Sequence, residues 1–479
     1  MLGLTLGPAV ASAQDRYADL ESCELAAAGG RITASARCGT LAVPENPTAP
    51  EGRQLELAYA VLPARASNAA PDPVFFLAGG PGQSAREMLP FMRHALREIN
   101  AERDLIFLDQ RGTGESNPLN CDSEQTEEVW LDANYDQMAE QIDACRATWD
   151  ADLRFYTTSD AARDLESLRI HYGFEQINLI GGSYGTRLAQ VYLRNYPDQV
   201  RTVILDGVVP TRLHLGSEHG IMLDRALGKL FDLCASDTTC DSTFPDLGSA
   251  FDSLKARFPD PDRGPQIQVT HPRRGVAVEM PFNRSTLAAA LRFLAYSPQT
   301  QMMIPYLVHE ASTTGDPTRL ASQAMIVTDQ MADAIAIGLN FAVGCAEDWP
   351  GWPEVDGQAD TLLGNSMKIV YDQICADWPS AEAPDDFHVP FDTSTPVLLL
   401  SGELDPVTPP SYGDEAAAQY SNSLHLVAQG RGHIVITEDC IGQIASRFVK
   451  AADLSSLDAQ CMDGLGPEPF FIDLLGPTP

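Results

Sequence analysis

The sequence predicts an α/β fold in which a mostly parallel central sheet carries helices on both faces and receives a helical cap insertion. In the first half of the chain, short apolar segments alternate with segments of helical periodicity. From about residue 210 to residue 390 the periodicity is mostly helical, and strand-like segments resume near residue 397. The core is therefore predicted to be divided in the sequence around the cap.

The strands of this sheet are predicted where short, largely apolar segments are bounded by turn residues. These segments are Leu55–Leu62, Val74–Leu77, Asp104–Asp109, Ile177–Ile180, Val203–Leu205, Val397–Ser401 and Leu424–Val427. Helical spacing of apolar residues predicts two helices between the strands and three in the cap. The helices are Asp160–His171, Tyr184–Asn195, Ile221–Leu233, Ser285–Leu294 and Gln323–Leu339.

Four regions follow from these patterns. Residues 1–13 are apolar and end in Ala11-Ser12-Ala13, which is typical of the end of a secretory signal peptide that has lost its basic start. Residues 35–209 form the first part of the α/β core, residues 210–390 the helical cap, and residues 391–479 the C-terminal part of the core.

The cysteines also indicate export. The chain has ten, and sequence neighbours pair without a remainder as 23–38, 121–145, 234–240, 345–375 and 440–461. An even count of this kind is typical of disulfides in an oxidising compartment, although spacing leaves the connectivity open. We therefore expect a secreted or periplasmic protein. The absence of a Cys/His cluster with ligand spacing predicts no metal site.

The net charge is −34, from 32 basic and 66 acidic residues. Such a chain repels nucleic acids and anionic lipid, so neither is an expected partner. This charge favours a role in solubility or salt adaptation, and it also permits attraction of cationic substrates such as free amino termini. No apolar segment beyond the N-terminus is long enough to predict a membrane span.

The strongest local signal is the G-x-S-x-G segment Gly181–Gly185, which lies between a predicted strand and a predicted helix. This context is typical of the nucleophile elbow, a tight turn that exposes a serine at the edge of the sheet. The N-terminus of the following helix directs free N–H groups towards a developing oxyanion. Ser183 is therefore the candidate nucleophile, against the alternative of an ordinary serine in a βα turn.

A serine hydroxyl needs a base, and in this arrangement the acid and the histidine follow the serine along the chain. Asp405 comes just after a predicted strand, and His433 follows in a glycine-flanked loop. His425 falls within a predicted strand, which favours a structural role, and Glu403 is expected to be a turn carboxylate facing solvent. The remaining histidines are expected on the surface or in the cap: His94, His171, His214, His219, His271, His309 and His388.

Two further segments follow strands. In Ala78–Ser84 (AGGPGQS), glycines allow the backbone to approach a substrate, and we expect Gly80 to supply one oxyanion N–H and Tyr184 the other. In Asp109–Ser116 (DQRGTGES), Asp109 and Arg111 are expected to brace the neighbouring loop rather than to contact substrate.

Together, these motifs resemble the prolyl iminopeptidase and tripeptidyl aminopeptidase family of α/β-hydrolases, including its tripeptidyl-peptidase-like C-terminal segment (Gly402–Pro409). The resemblance covers nearly the whole chain beyond about residue 35. Ala78, in place of the histidine usual in prolyl iminopeptidases, favours the tripeptidyl branch. The resemblance extends to Gly344–Trp349 (GCAEDW) and implies that Glu347 binds a substrate α-ammonium, unless it is only a solvated cap acid. Thr408 is expected to hold the Asp405 loop.

The sequence therefore predicts a secreted serine exopeptidase that releases short peptides or single residues from free N-termini through an acyl-enzyme on Ser183. It requires no cofactor. The main alternative is a carboxylesterase with the same triad, since the triad does not distinguish an amide from a small ester. A third possibility is a binding protein on an inactive hydrolase fold.

Overall fold

A computed structural model of the chain describes residues 16–27, 30–121, 135–261 and 263–477. The predicted signal segment, residues 1–13, lies outside these residues. The described residues form a nine-stranded sheet in the order β1-β2-β3-β5-β4-β6-β7-β10-β11. Its strands are β1 Glu21–Ala26, β2 Thr33–Pro44, β3 Gln54–Leu62, β4 Val74–Leu77, β5 Leu105–Leu108, β6 Ile177–Gly182, β7 Val200–Asp206, β10 Val397–Gly402 and β11 Ser423–Ala428.

Helices connect the parallel strands and occupy most of the chain between β7 and β10. Those of the sheet region are α1 Ala85–Ala95, α2 Tyr135–Arg146, α3 Thr158–Tyr172, α4 Tyr184–Asn195, α14 Pro410–Ala417 and α15 Asp439–Ala451. Those between β7 and β10 are α5 His219–Ser236, α6 Thr238–Thr243, α7 Leu247–Arg257, α8 Arg284–Leu294, α9 Pro298–Gln301, α10 Ile304–Thr314, α11 Thr318–Ala334, α12 Ile337–Glu347 and α13 Ser366–Cys375.

The sheet is parallel from β5 to β11 and antiparallel from β1 to β5. In β4, Phe75 and Leu77 join the apolar core on one face, whereas Val74 and Phe76 join the core on the other. Alternate side chains of a strand point to opposite faces, so a strand covered on both sides must be apolar throughout. This confirms the predicted parallel sheet with helices on both faces.

The predicted strands and helices are found within a few residues of their expected bounds, with one exception. The segment Gln323–Leu339 was expected to be a single helix, but α11 ends at Ala334 and α12 begins at Ile337. At the break, the Ala336 N–H donates to the carbonyl oxygen of Gly82 at 2.9 Å. A tertiary contact with the glycine loop therefore interrupts a helix that periodicity alone predicts to continue.

The region between β7 and β10 also contains a short antiparallel pair that was not predicted, β8 Gln266–Thr270 with β9 Ala277–Pro281. The helices from α5 to α11 enclose an apolar core of their own, which includes Leu227 and Leu291. In contrast, α12 and α13 contribute Phe341 and Tyr371 to a core of the main sheet. The last part of the predicted cap thus packs on the sheet. The limits of the cap at residues 210 and 390 remain a prediction.

Five disulfides join the cysteines that are neighbours in the sequence. Each of the five suggested pairs is found, and each encloses a loop of 30 residues or fewer in sequence separation. Within the described ranges, no helix has the combination of length and apolar character that crossing a membrane requires.

Candidate active site

Ser183 lies in a strained turn between β6 and α4, with φ 55° and ψ −124°. Non-glycine residues rarely adopt this conformation, and where they do it frequently marks a functional site. The flanking glycines make the turn possible. A Cβ on Gly181 would lie 2.3 Å from the Gly185 carbonyl oxygen, and a Cβ on Gly185 would lie 2.1 Å from that of Leu77. The G-x-S-x-G spacing is thus required by close packing of α4 against the sheet.

Asp405 and His433 form a direct pair: the Oδ2 atom of Asp405 lies 2.8 Å from Nδ1 of His433. The Asp405 side chain is fully buried, and its carboxylate also accepts hydrogen bonds of 2.8 Å from the backbone N–H groups of Val407 and Thr408 and from the Thr408 hydroxyl. The expected role of Thr408 in holding this loop is therefore confirmed. The contact fixes Nδ1 as the side of the ring that faces the acid.

Ser183 and His433 both lie beside the end of β7. The Ser183 N–H donates to the carbonyl oxygen of Asp206 at 2.9 Å. On the next residue, a Cβ on Gly207 would lie 2.9 Å from Cε1 of His433. Gly207 has φ 67°. Because it has no side chain, nothing at this position separates the imidazole from the serine turn. The structure thus brings the three predicted triad residues to one edge of the sheet.

The loop that carries His433 is anchored by groups that sequence analysis did not single out. The Asp206 carboxylate accepts from the N–H of Val435 at 2.9 Å and from that of Ile436 at 2.8 Å. The backbone N–H of His433 donates to the carbonyl oxygen of Tyr296 at 2.8 Å. The rings of these two residues lie 5.0 Å apart, edge to face. Asp206 directly follows a predicted strand. This position could have identified it as a candidate site residue, because the ends of strands carry site residues in such sheets.

Electrostatics at this edge favour a charged Asp405 and a His433 that gains a proton readily. Burial alone would lower the pKa of His433, but the adjacent Asp405 carboxylate outweighs it and raises that pKa above the ordinary 6.5. Burial opposes ionisation of Asp405 as well, yet His433 and the hydrogen-bond donors hold its pKa below the ordinary value. For Asp206, the N–H donors of Val435 and Ile436 and the charge of His433 compensate only in part, and burial raises its pKa to about 6.

The glycine loop after β4 lies beside the serine. A Cβ on Gly79 would be 3.1 Å from the Ser183 Cβ, and Gly80 has φ 105°, a conformation that favours glycine. Buried Asp109 braces this loop, since its Oδ1 atom accepts from the Ser84 hydroxyl at 2.6 Å. The role expected for Asp109 is thus confirmed, whereas Arg111 is not at the loop. Its guanidinium instead pairs with Asp164 of α3 at 2.6 Å.

Glu347, the residue expected to bind a substrate ammonium, lies at the end of α12 with a side chain only 1% exposed. Its carboxylate accepts from the Thr158 N–H at 2.6 Å and from the Thr158 hydroxyl at 2.7 Å. That hydroxyl also lies 2.7 Å from the Tyr184 hydroxyl. Burial raises the Glu347 pKa to about 8 despite the positive charge of Arg187, 3.8 Å away. The alternative of a solvated acid is wrong, because the carboxylate is buried and each of its oxygens accepts a hydrogen bond from Thr158.

The residues considered as rivals to the triad have structural partners. His425 lies in β11, with Nδ1 2.8 Å from Asp414 and Nε2 2.9 Å from the Ser401 hydroxyl. Glu403 does not simply face solvent as expected, because it accepts from the Gly430 N–H at 3.0 Å and so helps to hold the loop before His433.

His219, expected on the surface or in the cap, lies in the cap region and also near the candidate active site. His219 begins α5, and its ring lies close enough to His433 and Asp405 for their charges to act on it. Its Nδ1 atom is 3.1 Å from Nη2 of Arg292 on α8. Neither residue belongs to a motif, and the folding of the cap over the sheet brings both to the site.

Among the described residues, one group offers ligand atoms within 4.8 Å of one another for a metal ion: His214, Asp348 and His388. These atoms already have other partners. The Asp348 carboxylate accepts from Arg187 at 2.9 Å, and the two ring nitrogens of His388 face backbone carbonyl oxygens at 2.9 and 2.7 Å. We therefore assign this group a structural role in joining α4 to the cap.

Comparison with known proteins agrees with this geometry. The chain matches the alpha/beta hydrolase fold family over residues 72–439 and belongs to that family. It is a serine hydrolase, and the predicted fold and resemblance are confirmed.

Two curated relatives match along most of the chain. Tripeptidyl aminopeptidase of Streptomyces lividans is 24% identical over 97% of this chain and 90% of that protein. Serine protease Hip1 of Mycobacterium bovis is 24% identical over 90% of this chain and 88% of that protein. Among solved structures, proline iminopeptidase of Mycobacterium smegmatis is 16% identical and covers 87% of this chain and 100% of its own, with a TM-score of 0.42.

Proposed function

We propose that this protein is a secreted or periplasmic serine exopeptidase that removes short peptides or single residues from free N-termini. The observation that carries the proposal is the juxtaposition of Ser183 in its strained turn with the Asp405–His433 pair. The names of the two relatives that match along most of the chain support peptide substrates. The five disulfides support an oxidising compartment.

In the proposed mechanism, Nε2 of His433 takes the Ser183 hydroxyl proton as Oγ attacks the carbonyl carbon of the scissile amide. The N–H groups of Gly80 and Tyr184 stabilise the oxyanion, and loss of one such donor typically costs about 3 kcal/mol of transition-state stabilisation. Collapse of the intermediate breaks the C–N bond, and His433 gives its proton to the leaving amine. Water, deprotonated by His433, then hydrolyses the acyl-enzyme and restores Ser183.

Recognition of the free amino end is the less direct part of the proposal. Its candidate residue is Glu347, whose carboxylate is engaged by Thr158. An unpaired ammonium is costly to bury, so an aminopeptidase needs a carboxylate at this end of the substrate. The buried position of Glu347 favours the second candidate function, a carboxylesterase that needs no such group.

Peptide anilides with free and with N-acetylated amino termini separate these functions. The exopeptidase predicts cleavage of the free form and little cleavage of the acetylated form, whereas equal cleavage would overturn it in favour of an endopeptidase or esterase. A set of unblocked peptides of graded length, followed by mass spectrometry, then measures how many residues are released.

The nucleophile is tested independently of substrate. A fluorophosphonate probe should label the intact protein, and Ser183→Ala should abolish the labelling because the reactive oxygen is removed. Absence of labelling of the intact protein would favour a binding protein on an inactive fold. Ser401→Ala is a matched control, since the Ser401 hydroxyl contacts His425 rather than His433.

A further inference from the structure

Arg292 of α8 is a positive charge at the candidate active site with no assigned role. Its guanidinium lies 3.1 Å from Nδ1 of His219 and close enough to His433 to oppose protonation of that ring. Arg292 lies one turn before Tyr296, whose carbonyl oxygen accepts from the His433 N–H and whose ring packs on the imidazole. The segment that directly follows the helix of Arg292 thus contacts the catalytic histidine.

Arg292 has no acidic partner among the described residues. Within the part of the chain that the structure describes, no carboxylate oxygen lies within 4.0 Å of the Arg292 guanidinium, which is hydrogen-bonded to Nδ1 of His219. The chain has 66 acidic residues for 32 basic ones, so such partners are abundant. A half-buried guanidinium has five N–H donors in a fixed fork, and one contact with a histidine leaves most of them available.

His219 adds a second donor at the same place. A guanidinium only donates, so Nδ1 of His219 must accept from it, and the proton of a neutral ring then resides on Nε2. Burial, followed by the positive charge of Arg292, lowers the His219 pKa well below its ordinary value, so the ring is neutral. The two residues therefore present N–H groups beside His433 and no acceptor.

We propose that Arg292, oriented by His219, binds a carboxylate on the leaving portion of the substrate. The side follows from the chemistry, because His433 donates its proton to the leaving amine and therefore lies beside the leaving residue. The carboxylate is either the acidic side chain of the first leaving residue or the free α-carboxylate of a leaving residue that ends the peptide. This inference rests on the proposed peptidase chemistry of Ser183 and adds to it a preference for anionic leaving groups.

The test compares peptides that share one unblocked N-terminal portion, of the length that the graded set shows to be released. Each of the four peptides has a single residue after the scissile bond. This residue is Asp amide, Asn amide, Ala with a free carboxylate, or Ala amide. Their release is measured as kcat/KM. A charge-assisted contact predicts at least about a tenfold advantage for Asp amide over Asn amide, or for Ala free acid over Ala amide. The pair that shows the advantage identifies the source of the carboxylate.

Variants connect the preference to the residue. In Arg292→Gln the anionic-to-neutral ratio of kcat/KM should fall close to one, and in Arg292→Lys it should be intermediate, because charge is kept but the fork is lost. Arg319→Gln is the matched control, since it removes the same charge from an exposed pair with Glu310. If Arg292→Gln does not fold, added salt serves instead, because screening should lower the ratio in the unaltered protein.

Two results overturn the inference, and they differ from a failure of the proposed function. Cleavage of all four peptides without an anionic advantage contradicts the carboxylate subsite and leaves the peptidase intact. An advantage that persists in Arg292→Gln, or that is insensitive to salt where this variant does not fold, contradicts the role of Arg292. Absence of cleavage of every peptide, including those of the graded set, overturns the peptidase proposal and the subsite with it.

Discussion

The sharpest test of the candidate triad is the substitution Asp405→Asn. The Oδ1 atom of Asp405 accepts from the N–H groups of Val407 and Thr408, both at 2.8 Å, and an amide oxygen can accept both of these bonds. The Oδ2 atom faces the Thr408 hydroxyl and Nδ1 of His433, also at 2.8 Å. An amide NH2 at that place can donate to the hydroxyl, but it donates to Nδ1 as well. The loop is thus retained, whereas the imidazole is held in the tautomer with its proton on Nε2.

That tautomer cannot accept the Ser183 proton, and the negative charge that stabilises the imidazolium is also lost. The same exchange in a serine protease triad lowers kcat about 10⁴-fold, which corresponds to about 5.5 kcal/mol of barrier. We expect a loss of about this size in kcat/KM for Asp405→Asn, with slower fluorophosphonate labelling and a thermal unfolding midpoint close to that of the unaltered protein.

Thr408→Val is the matched control, because it removes the hydroxyl that contacts both Asp405 and Nδ1 of His433 but leaves the carboxylate–imidazole pair in place. It should reduce activity far less than Asp405→Asn does. If Asp405→Asn keeps more than a tenth of the activity while folded, another acid orients His433 and the assignment of Asp405 is wrong.

Two further predictions concern pH. His433 must be neutral to act as the base, and its pKa lies above the ordinary 6.5. We therefore expect kcat/KM to rise with pH through a midpoint above 6.5. A midpoint below 6.5 would contradict the pairing of His433 with Asp405. For Glu347, the pKa is raised from 4.5 to about 8, so its contribution to stability is complete below pH 4.5 and is lost as the pH rises through about 8. The loss between pH 7 and 9 is about 1.4 kcal/mol by linkage. Glu347→Gln can keep both hydrogen bonds to Thr158 but does not titrate. Its free energy of unfolding, measured with denaturant, should therefore change less between pH 7 and 9 than that of the unaltered protein. An equal change in the two proteins would show that Glu347 does not titrate in this interval.

Much of the fold was predictable because local chemistry and tertiary structure agree. A strand covered on both faces, such as Val74–Leu77, must be apolar throughout, and this is visible without coordinates. The tight turn at Ser183 needs glycines on both sides, so its spacing appears in the sequence. The break between α11 and α12 was not predictable, because a contact from Gly82, far away in the chain, causes it.

The sequence by itself determined the class of chemistry: a serine in an elbow, an acid and a histidine after later strands, and a glycine loop beside them. These signals are local, since each motif meets the steric demands of its own turn. Tertiary structure decided the surroundings. It buried Glu347 against Thr158, anchored the histidine loop on Asp206, and brought Arg292 and His219 to His433. Such contacts join residues far apart in the chain, and no local periodicity encodes the distance between them.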